Sequence, residues 1–166
     1  MVNRPQFYYP DIGVLGEDLV AQWLRSKGWV ILHRRWRCRW GEIDIIARKS
    51  SPMLVFVEVK TRSCGNWDAG GLLSITPQKQ AKLWQTARSF LATYPLFGNY
   101  PCHFDVALVC CKPLSKTQRQ ELSEPFVTLE ASASPVSLLV SGATGGNPGY
   151  QLLLQDYIPS GFDGIH

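Results

Sequence analysis

Residues 41–62 read GEIDIIARKSSPMLVFVEVKTR, and this stretch decides the fold. Glu42–Arg48 and Met53–Thr61 are rich in β-branched and apolar residues and are parted by Ser50-Ser51-Pro52, a pattern that predicts a β-hairpin. Successive strand side chains point to opposite faces. Leu54, Phe56, Glu58 and Lys60 therefore share one face, and Val55, Val57, Val59 and Thr61 the other. In the first strand Glu42, Asp44, Ile46 and Arg48 fall together. With Lys49 paired to Met53, Asp44 stands opposite Glu58, their Cβ atoms roughly 5 Å apart. Two carboxylates that close repel unless one is protonated or a cation lies between them. A hard divalent ion such as Mg²⁺, which takes oxygen from one or two carboxylates plus water and phosphate, resolves the conflict. Lys60, on the same face, is placed to meet a phosphate or an attacking hydroxide.

The bland alternative is a surface hairpin whose charges pair across strands. Against it, Leu54-Val55-Phe56-Val57 and Val59 are apolar on both faces, the mark of a central, buried strand. Glu and Lys are costly there without partners, and charges in such a place point to a site.

Working outward, Leu15, Leu19, Val20, Trp23 and Leu24 recur at helical spacing, which predicts a helix over 14–27 with Gly28 as its C-terminal cap. Residues 1–13 read as an irregular lead-in. Trp29–Arg37 reads as a strand and Arg39-Trp40-Gly41 as a turn. Residues 62–75 read as a Gly-containing loop. Thr76 and Pro77 are an N-cap and first-position pair that opens a second helix, with Leu83, Trp84, Ala87, Phe90, Leu91 and Tyr94 as its core stripe. His103–Cys111 is a further strand. The order αβββαβ implies an α/β domain with helices packed on a mixed sheet, spanning 14–129. Residues 130–149 are rich in Ser, Ala and Gly and read as a flexible insertion; 150–166 reads as a return segment holding a short strand over 150–158.

These segments carry a resemblance. Asp44 followed, after a hairpin, by Glu58-Val59-Lys60 is similar to the PD-(D/E)XK nuclease superfamily, which includes type II restriction enzymes and archaeal Holliday-junction resolvases. Gly16-Glu17, Gly41–Ala47, Val57–Arg62, Thr76-Pro77-Gln78-Lys79-Gln80 and Phe104-Asp105-Val106 together resemble the YraN family of endonuclease-like bacterial proteins, over residues 16 to about 110. The resemblance implies a restriction-endonuclease-like core and a Mg²⁺- or Mn²⁺-dependent endonuclease acting on DNA, with branched or repair intermediates as substrates. It implies that Asp44, Glu58 and the Val59 carbonyl bind the metal, that Lys60 positions water or steadies developing charge, and that Glu17 is the upstream acid of the site. Helical geometry alone puts Glu17 on the flank of the apolar face, where an acid near a helix N-terminus also satisfies the dipole. His103 stands where the family has Arg. Asp105 suits capping or turn work as well as chemistry. Related resolvase-like nucleases work as dimers, which implies a homodimer.

Composition sets the outer bounds. The chain has 166 residues, 45% hydrophobic and 18% charged, with a net charge of +4, enough for one domain with a proper core. Its basic residues concentrate in the N-terminal half. Arg35, Arg37, Arg39 and Arg62, interleaved with Trp29, Trp36 and Trp40, suit a nucleic-acid backbone, although ordinary solvated arginines give the same pattern. Gln78 and Lys82 share a helix face and are placed to touch a phosphate, a solvated polar face being the plainer explanation. No apolar run approaches the roughly 20 residues that cross a bilayer, so no membrane partner is expected. The N-terminus lacks a signal-peptide stretch, and a cytoplasmic home follows by default. Five cysteines without a C-x-x-C pair read as reduced thiols. Two rival readings stand beside the nuclease: a nucleic-acid-binding protein that keeps the fold without cutting, and an adaptor that works through residues 130–149.

Overall fold

The computed structural model of the chain describes residues 9–64, 75–121, 127–130, 137–140 and 149–162. Helix α1 (Tyr9–Ser26) leads into strands β1 (Val30–Cys38), β2 (Gly41–Lys49) and β3 (Met53–Ser63). Helix α2 (Pro77–Thr93), a 3-10 turn (Pro95–Phe97) and β4 (Cys102–Pro113) follow. A short helix α3 (Lys116–Glu121) precedes β5 (Val127–Glu130), β6 (Ser137–Val140) and β7 (Tyr150–Phe162). The described strands form one mixed sheet of seven, in the order β1-β2-β3-β4-β7-β6-β5. Only β3 and β4 run parallel among its pairs. Parallel neighbours need a crossover connection, and α2 lies within it.

Local chemistry explains the helix ends. Gly28 adopts a φ of 82°, a conformation that suits glycine. Its N–H donates to the Arg25 carbonyl and that of Trp29 to the Leu24 carbonyl, both at 3.0 Å, the two-bond Schellman ending. Thr76 caps α2 by accepting the Lys79 N–H, with Pro77 first in the helix. Helix α1 begins at Tyr9, earlier than the periodicity predicts. Pro10 is tolerated in a first turn, where the missing N–H has no helical partner.

Each sheet face buries its own core. On one, Leu19, Val20 and Leu24 of α1 meet Ile45, Val55, Val57, Ala107 and Leu152. On the other, Leu83, Ala87 and Phe90 of α2 meet Ile46, Leu54, Phe56, Phe104 and Val106. Leu54 through Val57 are fully buried, so β3 is the central two-faced strand its sequence predicts. At about 1.5–3 kcal/mol for each large apolar side chain removed from water, these two layers hold the domain together.

Three expectations need correction. Cys64 and Cys110 form a disulfide rather than free thiols, while Cys38, Cys102 and Cys111 are free. The parallel β3–β4 pairing brings their Cα atoms to 5.0 Å across a sequence separation of 46, and nothing local in the sequence announces that meeting. Within the segment expected to be a flexible insertion, residues 137–140 form β6, which pairs with both β5 and β7. The apolar Leu138-Leu139-Val140 is a strand hidden in a low-complexity background; residues 131–136 and 141–148 lie outside the described residues. The return segment is a 13-residue strand running along β4, longer than predicted. The expected loop over 62–75 falls mostly on residues 65–74, outside the described set, and residues 62 and 63 still belong to β3. No described helix is long and apolar enough to cross a membrane.

Candidate active site

The β2–β3 ladder pairs Lys49 with Met53 and proceeds through Ile46↔Phe56 to Ile45↔Val57, the register assumed from the loop. It stops one pair short of Asp44 and Glu58. On the other edge of β2, the β1 ladder pairs Arg34 with Ile45 and Trp36 with Ile43 but skips Arg35 and Asp44. Arg35 has a φ of 51°, in the left-handed region that non-glycine residues seldom adopt. The alternation of faces slips at this point. Ile45 packs in the α1 core, yet Ile43 packs in the α2 core. Arg34 reaches Asp18 of α1 at 2.9 Å, yet Trp36 meets Phe90 of α2 edge-on at 5.5 Å. Residues two apart on a regular strand share a face, so both strands turn over at the Arg35–Asp44 step.

Released from the ladder, Asp44 directs its carboxylate to β3, where Oδ2 accepts the Val59 N–H at 2.7 Å. The ladder thus ends before the Asp44–Glu58 step, and the Asp44 carboxylate substitutes there for a backbone acceptor. A strand residue's N–H and C=O leave on the same edge, so the Val59 carbonyl also faces Asp44. A pocket of about 620 Å³ opens here, its walls including Glu17, Asp44, Glu58, Val59, Lys60, Thr61 and Arg62. Helix α1 closes one side because Gly16 carries no side chain; a Cβ there would overlap the Thr61 hydroxyl.

The acids differ in their partners. Glu58 is 6% exposed, and its Oε1 accepts from Lys60 Nζ at 2.8 Å and from Lys79 Nζ. Glu17 is 8% exposed and is gripped by Arg35 through Nε at 2.8 Å and a second guanidinium nitrogen at 3.2 Å, with Arg34 at 3.5 Å. The upstream acid therefore lines the pocket but is turned to the arginines of β1. Among the described residues no cation forms an ion pair with Asp44, though the charge of Lys60 reaches it. Burial, then the charge of Glu58, push its pKa from 3.8 up to about 7, against the pull of the Val59 hydrogen bond. Burial also lowers Lys60, with Glu58 opposing. For Lys79 burial is again the largest influence and acts downward, but its hydrogen bonds to Glu58 and Lys60 and the charges of Glu58 and Asp44 together raise it.

Among the described residues no three His, Cys, Asp or Glu groups converge closely enough to cage an ion. The donor set that does fit a metal is smaller. Asp44 uses Oδ2 and Glu58 uses Oε1, which leaves one oxygen of each without a hydrogen bond among the described residues. Two hard carboxylate oxygens and a backbone carbonyl suit Mg²⁺, which keeps several waters and needs only one or two carboxylates. An Asp44 carboxyl pushed up by burial and by the charge of Glu58 is what such an ion would relieve.

The expected nucleic-acid contacts divide. Arg37 and Arg39 are exposed on β1 and its turn, Arg37 paired with Glu42 and Arg39 lying 4.6 Å from the Trp40 ring. Arg35 is committed to Glu17, and Arg62 is exposed at the pocket wall. Gln78 and Lys82 are exposed on α2, and among the described residues neither hydrogen-bonds to Asp44 or Glu58. The residue of α2 that reaches them is Lys79, which the sequence reading passed over. Leu83, one turn on, is a core residue, and that spacing places Lys79 on the sheet side. Asp105 is 2% exposed and accepts from Tyr157 Oη at 2.5 Å and the Ser160 N–H at 2.9 Å, with His103 Nδ1 at 2.7 Å. It ties β7 to β4 and is not among the residues lining the pocket.

Comparison with known proteins places these residues in a family context. The family model described as "Uncharacterised protein family UPF0102" matches residues 16–109. A UPF0102 protein of Trichodesmium erythraeum (strain IMS101) is 47% identical over 163 residues, covering 92% of this chain and 88% of its own. One from Trichormus variabilis (strain ATCC 29413 / PCC 7937) is 50% identical over 157 residues, covering 92% and 95%. One from Synechocystis sp. (strain ATCC 27184 / PCC 6803 / Kazusa) is 42% identical over 155 residues, covering 93% and 99%.

Proposed function

This chain belongs to the family UPF0102, and from the site enclosed by the matched span we propose that it is a metal-dependent endonuclease hydrolysing phosphodiester bonds in DNA. The observation that carries the reading is the pair of half-engaged carboxylates, Asp44 and Glu58, with Lys60 beside them in one pocket. The αβββαβ order and the mixed sheet, together with the Asp44…Glu58-Val59-Lys60 pattern, support a restriction-endonuclease-like core.

Asp44, Glu58 and the Val59 carbonyl would hold the cation. Mg²⁺ or Mn²⁺ bound there supplies Lewis acidity and lowers the pKa of water. Lys60 places fixed positive charge where the phosphorus gathers negative charge, and its hydrogen bond to Glu58 fixes its position. Glu17 acts at one remove, anchoring Arg35 and adding negative potential at Asp44. Arg37 and Arg39 extend a basic, aromatic-flanked ridge for the DNA backbone.

The test is cleavage of linear and branched DNA with Mg²⁺ or Mn²⁺. Wild type cuts, and Asp44→Ala and Lys60→Ala each lose about a hundredfold or more, the scale of removing a charge-stabilising group. Activity that survives both substitutions refutes the proposal. One observation favours a second reading, a nucleic-acid-binding protein that does not cut: Glu58 is already neutralised by two ammonium groups. Such a protein holds DNA in EDTA and shows no Asp44-dependent affinity for divalent cations.

A further inference from the structure

Lys79 breaks a local rule. It is the third residue of α2, where an acid or amide is preferred and a positive charge opposes the helix dipole. The first turn of α2 contains no acid to offset it. Its backbone N–H serves the Thr76 cap, while its side chain crosses to β3 and shares Glu58 Oε1 with Lys60. Two ammonium groups on one carboxylate oxygen repel each other. Glu58 carries one negative charge against their two positive ones, so its Oε1 holds a local surplus of positive charge; Lys79 reaches that oxygen from beside the pocket, whose lining residues do not include it, with its side chain 36% exposed. Residues that defy local preference in this way mark function more often than stability.

We propose that Lys79 is a phosphate-binding residue of the site, meeting the phosphodiester alongside Lys60 from the N-terminus of α2. The assignment rests on the nucleic-acid reading of the pocket. It supplies what Gln78 and Lys82, exposed on the same helix, do not: a cation held against the acidic centre. The surplus charge is satisfied when a phosphate oxygen arrives, and Glu58 then retains Lys60 as its partner.

The experiment measures binding of a short labelled DNA duplex by the full chain in EDTA across a salt series, and cleavage kinetics in Mg²⁺ beside it. Lys79→Gln is expected to weaken binding about tenfold and to lower the salt slope by about one, the value for one lost phosphate contact. In cleavage it raises KM and leaves kcat within about twofold, a split that damage to the metal ligands would not give. Lys79→Arg retains the slope, and Lys116→Gln, the same charge change on exposed α3, alters neither quantity. Lys79→Gln binding with wild-type affinity and slope overturns the proposal, as does failure of the wild type to bind DNA. Lys79-dependent binding without cleavage supports it while overturning the nuclease reading.

Discussion

Asp44→Asn isolates the electrostatic penalty built into the pocket. Folding carries the Asp44 pKa from 3.8 to about 7, so between these values the folded chain binds a proton that the unfolded chain has released. Stability contributed by this group therefore falls as pH rises from about 4 to about 7 and is level above that. At about 1.4 kcal/mol per pH unit the full gap corresponds to about 4 kcal/mol. Because Asp44 opens onto the pocket, water screens part of it, and about 2–4 kcal/mol is the expected range. Asparagine keeps an acceptor for the Val59 N–H without the charge. The variant should match wild type near pH 4 and exceed it at pH 8, by about 5–15 °C in Tm for a chain of this size. Saturating Mg²⁺ or Mn²⁺ should close the gap by stabilising only the wild type. The assay is thermal unfolding of both proteins from pH 4 to 8, with and without the cation. Asp44→Asn that is less stable at pH 8, or a difference that does not change with pH, refutes the reasoning.

Two further outcomes follow from packing and covalent geometry. Cys64→Ser opens a bridge spanning a sequence separation of 46; the loop-entropy relation gives a loss of about 4 kcal/mol, read in urea unfolding without reductant, and dithiothreitol should bring wild type down to the variant. Gly16→Ala drives a methyl group into the Thr61 hydroxyl, costing about 1–3 kcal/mol, and Thr61→Ala in the same chain should recover most of the lost Tm; no recovery would show that α1 is held by something else.

Much of the frame was legible because it depends on short-range pattern. The Ser50-Ser51-Pro52 loop fixes the register from Lys49↔Met53 onward, and Thr76-Pro77 fixes the start of α2. The unread features arise from meetings between distant segments. Alternation carries Asp44 directly opposite Glu58 only if both strands stay regular, and the positive φ of Arg35 cannot be inferred from an Arg in a β-rich run. Lys79 stands in the Thr76–Gln80 motif, but its meeting with Glu58 depends on how α2 packs against the sheet. Cys64 and Cys110 look unrelated until the parallel pairing of β3 with β4 aligns them. Asp105 looked like a turn residue because its partners, Tyr157 and Ser160, come from the far end of the chain.

The turnover of β1 and β2 at Arg35 and Asp44 has a consequence for how the pocket comes into being. Glu17 arrives with one helical layer and Lys79 with the other, while Asp44 stands at the seam between them. A partly folded chain with only α1 docked would lack the second cation on Glu58, and one with only α2 docked would lack the clamp on Arg35. The charge balance around Asp44 is set only when both layers have closed, so an intermediate that keeps one helical layer keeps the acids of the sheet without their full set of counter-charges.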